Sequence, residues 1–169
     1  MKAIVTLAII VLSAYGFLAK AQDAVVPAEN VEALFTSNDS QLHANKQVVY
    51  HIIRDLLEAG HWDKAGQYIS EDYVQHNPNA KSGLAPVVDF FTNVLKVQPR
   101  PIPDKISLPI IAVTAEGDLV TVLYRRTVED SKHPQGRYTT TWYDTWQIKG
   151  GKAVRHWDPA LLGESSNLR

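Results

Sequence analysis

The hydrophobic period of this chain changes once, and that change limits the folds open to it. Val49, Ile52, Ile53, Leu56 and Leu57 recur at helical spacing, as do Trp62, Ala65 and Ile69, and then Leu84, Val87, Val88, Phe91 and Leu95. Asn45 is a suitable N-cap for the first of these helices and Gly60 a suitable stop; Ser82 can cap the third, with Pro86 in its first turn, where a missing N–H costs little. From residue 105 onward apolar and polar residues alternate instead. Strands are expected over 105–115, over Leu119–Glu129, over Arg137–Ile148 and over Ala153–Asp158, with Pro109 confining the first to a sheet edge. A short strand, Tyr73–His76, stands between the second and third helices. Helices followed by an antiparallel meander predict an α+β domain with its helices on one face of a curved sheet.

The chain has 169 residues, enough for one such domain. We assign it to 45–162, with a flexible tether over 22–44 and a tail over 163–169. Residues 1–21 read as a secretory signal peptide: Lys2 precedes an apolar stretch, and Ala19-Lys20-Ala21 is a small-x-small cleavage site. The expected location is therefore secreted or periplasmic, with no membrane span after cleavage. A net charge of −1 and the lack of a basic run argue against nucleic acid and anionic membranes as partners. The absence of cysteine excludes thiolate nucleophiles and thiolate metal sites, and no nucleotide-binding glycine loop or serine-hydrolase elbow occurs.

The chemistry concentrates on three segments. In the strand 138–148, Tyr138, Thr140, Trp142, Asp144, Trp146 and Ile148 share one face, so Asp144 stands between two tryptophans. A carboxyl group deprived of hydration holds its proton more tightly and can serve as a general acid or base. The competing expectation is an ion pair with Arg125 or Arg126 on the neighbouring strand. In the last strand, His156 and Asp158 share a face, an arrangement that suits an oriented imidazole better than a metal, which needs further ligands. In YVQHNP (73–78), His76 and Asn77 stand at a strand end that Pro78 closes; they are either turn residues or one wall of a pocket.

Three segments, 45–83, TWYDTWQIKGGKA (141–153) and VRHWDP (154–159), together resemble the SnoaL-like polyketide cyclase branch of the nuclear transport factor 2-like superfamily. The resemblance implies a cone-shaped α+β barrel around an apolar pocket and an intramolecular aldol chemistry that uses neither metal nor organic cofactor. It makes Asp144 the general acid/base by position, places His76 and Asn77 in an element that borders the pocket in relatives, and places His156 and Asp158 in the terminal element on their last strand. On this reading His76 and Tyr124 donate to a developing enolate oxygen, while Trp142, Trp146 and Phe90 or Phe91 hold a small apolar or carbonyl-containing substrate. The alternatives are a non-catalytic ligand-binding domain and a homodimeric assembly module paired through the row Thr139, Thr141, Tyr143 and Thr145.

Overall fold

The computed structural model describes residues 23–164, 166 and 168; the expected signal peptide lies outside them. Five strands, β1 (Ile69–Gln75), β2 (Ile110–Glu116), β3 (Leu119–Glu129), β4 (Arg137–Lys149) and β5 (Lys152–Trp157), form one sheet in the order β1-β5-β4-β3-β2. The sheet is curved but open, since β1 and β2 are its two edges, so the expected barrel is not closed. Nor is it wholly antiparallel: β1 pairs with β5 in parallel, which the helices between them in sequence make possible. Pro109 immediately precedes the edge strand β2, as its missing donor requires.

The helices cover one face. They are α1 (Val31–Leu34), α2 (Ser40–His51), α3 (Ala65–Tyr68) and α4 (Leu84–Asp89). The α2 axis continues as a π-helix over Ile52–Glu58, and α4 continues likewise over Phe90–Val94. Their apolar faces (Val49, Ile53, Leu56, Val87) meet the inward row of the sheet (Ile110, Val120, Val122, Tyr124, Trp142, Trp146, Ile148) in a single core. Among the described residues no helix is long and apolar enough to cross a membrane. Thr141 and Tyr143 are exposed on the opposite face of β4.

Residues 23–44 are not a flexible tether. Phe35 is fully buried, and Val31 joins the same core. Lys46 and Gln47 donate to the carbonyls of Leu34 and Phe35 that the end of α1 leaves open, and the Ala28 N–H bonds to the Ile110 carbonyl at 2.8 Å. The polar run Ser37-Asn38-Asp39-Ser40, which reads as a break, contains a cap: Asp39 accepts from the Leu42 N–H at 2.9 Å and starts α2 five residues before Asn45. Asn45 itself is buried inside the helix, where its amide donates to the Gly117 carbonyl at 3.0 Å and ties α2 to the β2–β3 turn.

A second fixed point is Asp55. Arg54 donates to one carboxylate oxygen at 2.7 Å, and the Tyr68 hydroxyl donates to the other at 2.9 Å, with His51 Nδ1 3.2 Å from that same oxygen. Burial alone would raise the Asp55 carboxyl, but these hydrogen bonds and the Arg54 charge outweigh it and hold it below its ordinary 3.8.

Two outcomes follow from this packing. Phe35→Ala is expected to cost about 3 kcal/mol in urea unfolding, by loss of a fully buried ring, whereas a free tether would tolerate it without a measurable change. Asp55→Asn is expected to cost roughly 2 kcal/mol at neutral pH. Because the folded carboxyl titrates below its unfolded value, its contribution is present above that ordinary value and is lost as the pH falls through the lowered one. Wild-type and Asp55→Asn midpoints should therefore converge in acid, and a gap that persists there would refute the assignment.

Candidate functional site

The inward face of β4 sets the site. Trp142, Asp144, Trp146 and Ile148 are all buried, as the period-two reading requires, and the β3 register puts Val122 opposite Asp144 and Tyr124 opposite Trp142. Asp144 is 7% exposed. The Trp142 indole N–H donates to its Oδ1 at 3.1 Å. The fully buried Tyr124 hydroxyl faces the same carboxylate without making a hydrogen bond of good geometry. Burial pushes the Tyr124 phenol well above its ordinary value, and the Asp144 charge adds to the shift. The Tyr73 phenol is raised too, by burial and by the Asp144 and Asp158 charges, against a smaller opposing contribution from the Trp146 indole. Both hydroxyls therefore keep their hydrogens at neutral pH and can act as donors.

His156 reaches the same place through a bulge. Trp146 pairs with His156 and Ile148 with Ala153, so one partner residue, Gln147, separates the pairs on β4 while two, Val154 and Arg155, separate them on β5. Ala153 and His156 consequently both point inward, although simple alternation would put them on opposite faces. His156 Nε2 lies 3.4 Å from Asp144 Oδ1. Its Nδ1 lies 2.8 Å from Gln75 Oε1 and 3.8 Å from Asp158 Oδ2. Asp158 is in turn held by the Asn77 amide, which donates to it at 2.6 Å.

A cavity of about 920 Å³ opens against Asp144, with Leu57, Phe91, Leu95, Val97 and Leu108 on its apolar side and Arg126 at its rim. Phe91 is stacked on Trp62 at 3.7 Å between ring centres, which makes a flat wall. Arg126 lies over the Trp142 ring at 5.0 Å and pairs with Glu164 at 2.7 Å.

The residues singled out in the sequence divide accordingly. Asp144 and Phe91 line the cavity; Tyr124, Trp142, Trp146 and His156 surround the carboxylate from the sheet. Asn77 and Asp158 bond to each other one layer behind His156. His76 does not join them: it is exposed and stacked on Trp157, with ring centres 5.1 Å apart. The parallel register aligns Gln75 with His156, so Tyr73 and Gln75 turn inward and His76 turns out. The sequence gives no signal for Gln75 behind His156 or for Leu57 in the cavity, since the parallel pairing places the one and the helix packing the other.

Asp144, His156 and Asp158 each offer a metal-ligand atom, all within 4.8 Å of one another. The two carboxylates, however, stand at opposite ring nitrogens of His156. An imidazole nitrogen ligates along one lone pair, so an ion on Nε2 beside Asp144 leaves Asp158 behind the ring. The trio is better arranged to orient a proton than to hold a cation.

A family profile described as the SnoaL-like domain matches residues 50–156. No curated protein matches the chain. Among solved structures, a nuclear transport factor 2-like protein of unknown function from Burkholderia pseudomallei superposes with a TM-score of 0.50 at 17% identity, over 71% of this chain and 92% of that one. A candidate polyketide cyclase from Acidithiobacillus ferrooxidans gives 0.49 at 16% identity, over 73% and 89%. IdmH, a candidate polyketide cyclase from Streptomyces antibioticus, gives 0.45 at 14% identity, over 68% and 89%. The Burkholderia likeness shows a shared fold.

The buried Tyr124 hydroxyl without a well-aligned partner contributes nothing to stability that phenylalanine would not. Tyr124→Phe is expected to leave the thermal midpoint unchanged or raised. A fall of several degrees would show that the hydroxyl is a structural anchor.

Proposed function

Because the chain belongs to the SnoaL-like domain family, we propose that it is a cofactor-independent enzyme moving a proton next to a carbonyl, by aldol-type cyclisation or isomerisation, on a small and largely apolar substrate. The observation that carries this reading is the placement of a buried carboxylate, Asp144, on the wall of a cavity of about 920 Å³ that sets apolar side chains beside the charged Arg126, Glu129 and Arg137. A carboxylate with little water around it is a stronger base toward carbon acids than one in bulk solvent. The apolar wall from Leu57, Phe91 and Leu108 supplies binding by exclusion of water.

Asp144 takes the role of general base. The C–H bond next to the carbonyl breaks, its electron pair passes to the enolate, and the proton forms an O–H bond on the carboxylate. The charge that develops on the enolate oxygen needs a donor. Tyr124, not His76, is the residue of the original pair that stands beside Asp144 with a hydrogen to give. The alternative of a passive ligand-binding domain uses the same cavity but gives Asp144 no proton to move. Export of the mature chain to the periplasm or medium remains part of the proposal, as does pairing through the exposed Tyr143 face.

The test uses 5-nitrobenzisoxazole, a flat apolar probe whose single acidic C–H reports on a desolvated carboxylate base: proton removal breaks the ring N–O bond and releases a coloured phenolate. Wild-type protein is expected to turn it over, and Asp144→Asn to lose roughly 10² to 10⁴ of that rate while retaining its circular dichroism and thermal midpoint. Equal rates in the two proteins, or a wild-type rate no greater than that of acetate buffer, would reject the acid/base role in favour of passive binding.

A further inference from the structure

We propose that Gln75 is a positioning residue that fixes the tautomer of His156, so that His156 and Asp144 hold a proton between them and act as one acid/base unit. The proposal rests on the reading of Asp144 as the proton acceptor of the site.

The argument begins with an atom whose identity is settled by its neighbours. Gln75 Oε1 receives the backbone N–H of Asn77 at 3.1 Å. A backbone N–H can only donate, so this end of the amide is the oxygen. The same oxygen lies 2.8 Å from His156 Nδ1. An amide oxygen can only accept, so Nδ1 carries a hydrogen. A neutral imidazole has a single N–H, so His156 in that form carries a bare lone pair at Nε2. Nε2 is buried, has no partner of hydrogen-bond geometry, and lies 3.4 Å from Asp144 Oδ1. With Asp144 ionised and Nε2 bare, two electron-rich atoms would stand 3.4 Å apart in a dry setting, a repulsive contact. One proton, on Nε2 or on Oδ1, turns that repulsion into an attraction.

Further polar groups are fixed around the pair. Asp158 lies 3.8 Å from Nδ1, and its place is fixed by the Asn77 amide and by the Ala160 N–H, which donates to its Oδ1 at 2.9 Å. It stands on the side of the ring that carries the Nδ1 hydrogen. Tyr73 from β1 and Tyr124 from β3 keep their phenolic hydrogens, so neither competes as an acceptor of negative charge. Arg126, on the same cavity, is paired with Glu164. The Trp142 N–H and His156 Nε2 both lie at Oδ1 of Asp144.

The consequence is a division of labour. In the one-proton state with the hydrogen on Nε2, Asp144 is a carboxylate and can accept a proton from substrate carbon. The pair then holds two protons. The positive ring beside the new carboxylic acid favours giving that proton back, to the alkoxide or carbon that completes the reaction. His156 keeps its own hydrogen throughout, and no external acid is required.

The first measurement is the ¹⁵N–¹H correlation spectrum of the histidine rings in uniformly labelled protein at neutral pH, with His156→Gln identifying the signal. A hydrogen on Nδ1 of His156 is expected, in either the neutral or the doubly protonated ring. A neutral ring with its hydrogen on Nε2 would overturn the proposal. This readout needs no turnover, so it is decided separately from the fate of Asp144 as a base. The second measurement is elimination of 5-nitrobenzisoxazole. Gln75→Leu should lower kcat roughly tenfold to a hundredfold with KM unchanged, and Gln75→Glu, which keeps an acceptor on Nδ1, should restore most of it. Equal kcat for the leucine and glutamate variants would overturn the positioning role.

Discussion

The antiparallel ladder between β3 and β4 is the constraint on which the cavity depends. It runs without interruption from Leu119 opposite Gln147 to Glu129 opposite Arg137. Side chains alternate strictly along such a ladder, so a slip of one residue would move Asp144, Trp142 and Tyr124 together to the solvent face. Two hydrogen bonds to Asp118, from the Gln147 amide and from the Ile148 N–H, each at 2.7 Å, hold the register at the β2–β3 turn end. The core and the site are therefore the same set of residues counted on the same face. A shift of this register would therefore undo the packing of the sheet and the placement of the carboxylate together.

Much of that was legible in the sequence because it is local. The alternation over 138–148 assigned Asp144 to the buried face correctly, and the α+β order of elements follows from the change in period. What could not be read was whatever depends on two distant segments meeting. The bulge at Val154–Arg155 is invisible to a period-two count, yet it is what turns His156 inward along with Ala153. The parallel β1–β5 edge is equally non-local, and it reverses the assignment of His76 and Gln75. The YVQHNP stretch thus contains a residue of the site's outer layer, but it is the glutamine, with Asn77 supporting it, while His76 covers Trp157 on the other side. The N-terminal segment failed for a different reason. Val31 and Phe35 already show helical spacing, but Ser37 to Ser40 looks like a break when it is the cap of the next helix.

Several buried polar groups away from the site are fully partnered. Asn45 is buried and bonded to Gln41 and Gly117, Asp55 to Arg54 and Tyr68, and Glu58 to Ser107. Not every buried polar atom is so served: Trp62 Nε1 and Arg125 Nε have no hydrogen-bond partner among the described residues. Around Asp144 two such atoms come together, for Tyr124 Oη and His156 Nε2 are both buried beside the carboxylate without a partner of good geometry. Each such atom costs about 1–3 kcal/mol relative to a satisfied one. Phenylalanine and a second aliphatic residue would fill the same volumes without that cost. A pair of unsatisfied polar atoms converging on a single carboxylate, next to a cavity large enough for a small molecule, is the pattern expected where a ligand or a moving proton completes the hydrogen bonding. On the proposed reading, a carboxylate, a phenol and an imidazole held just short of satisfying one another are the groups that a proton-transfer step would use.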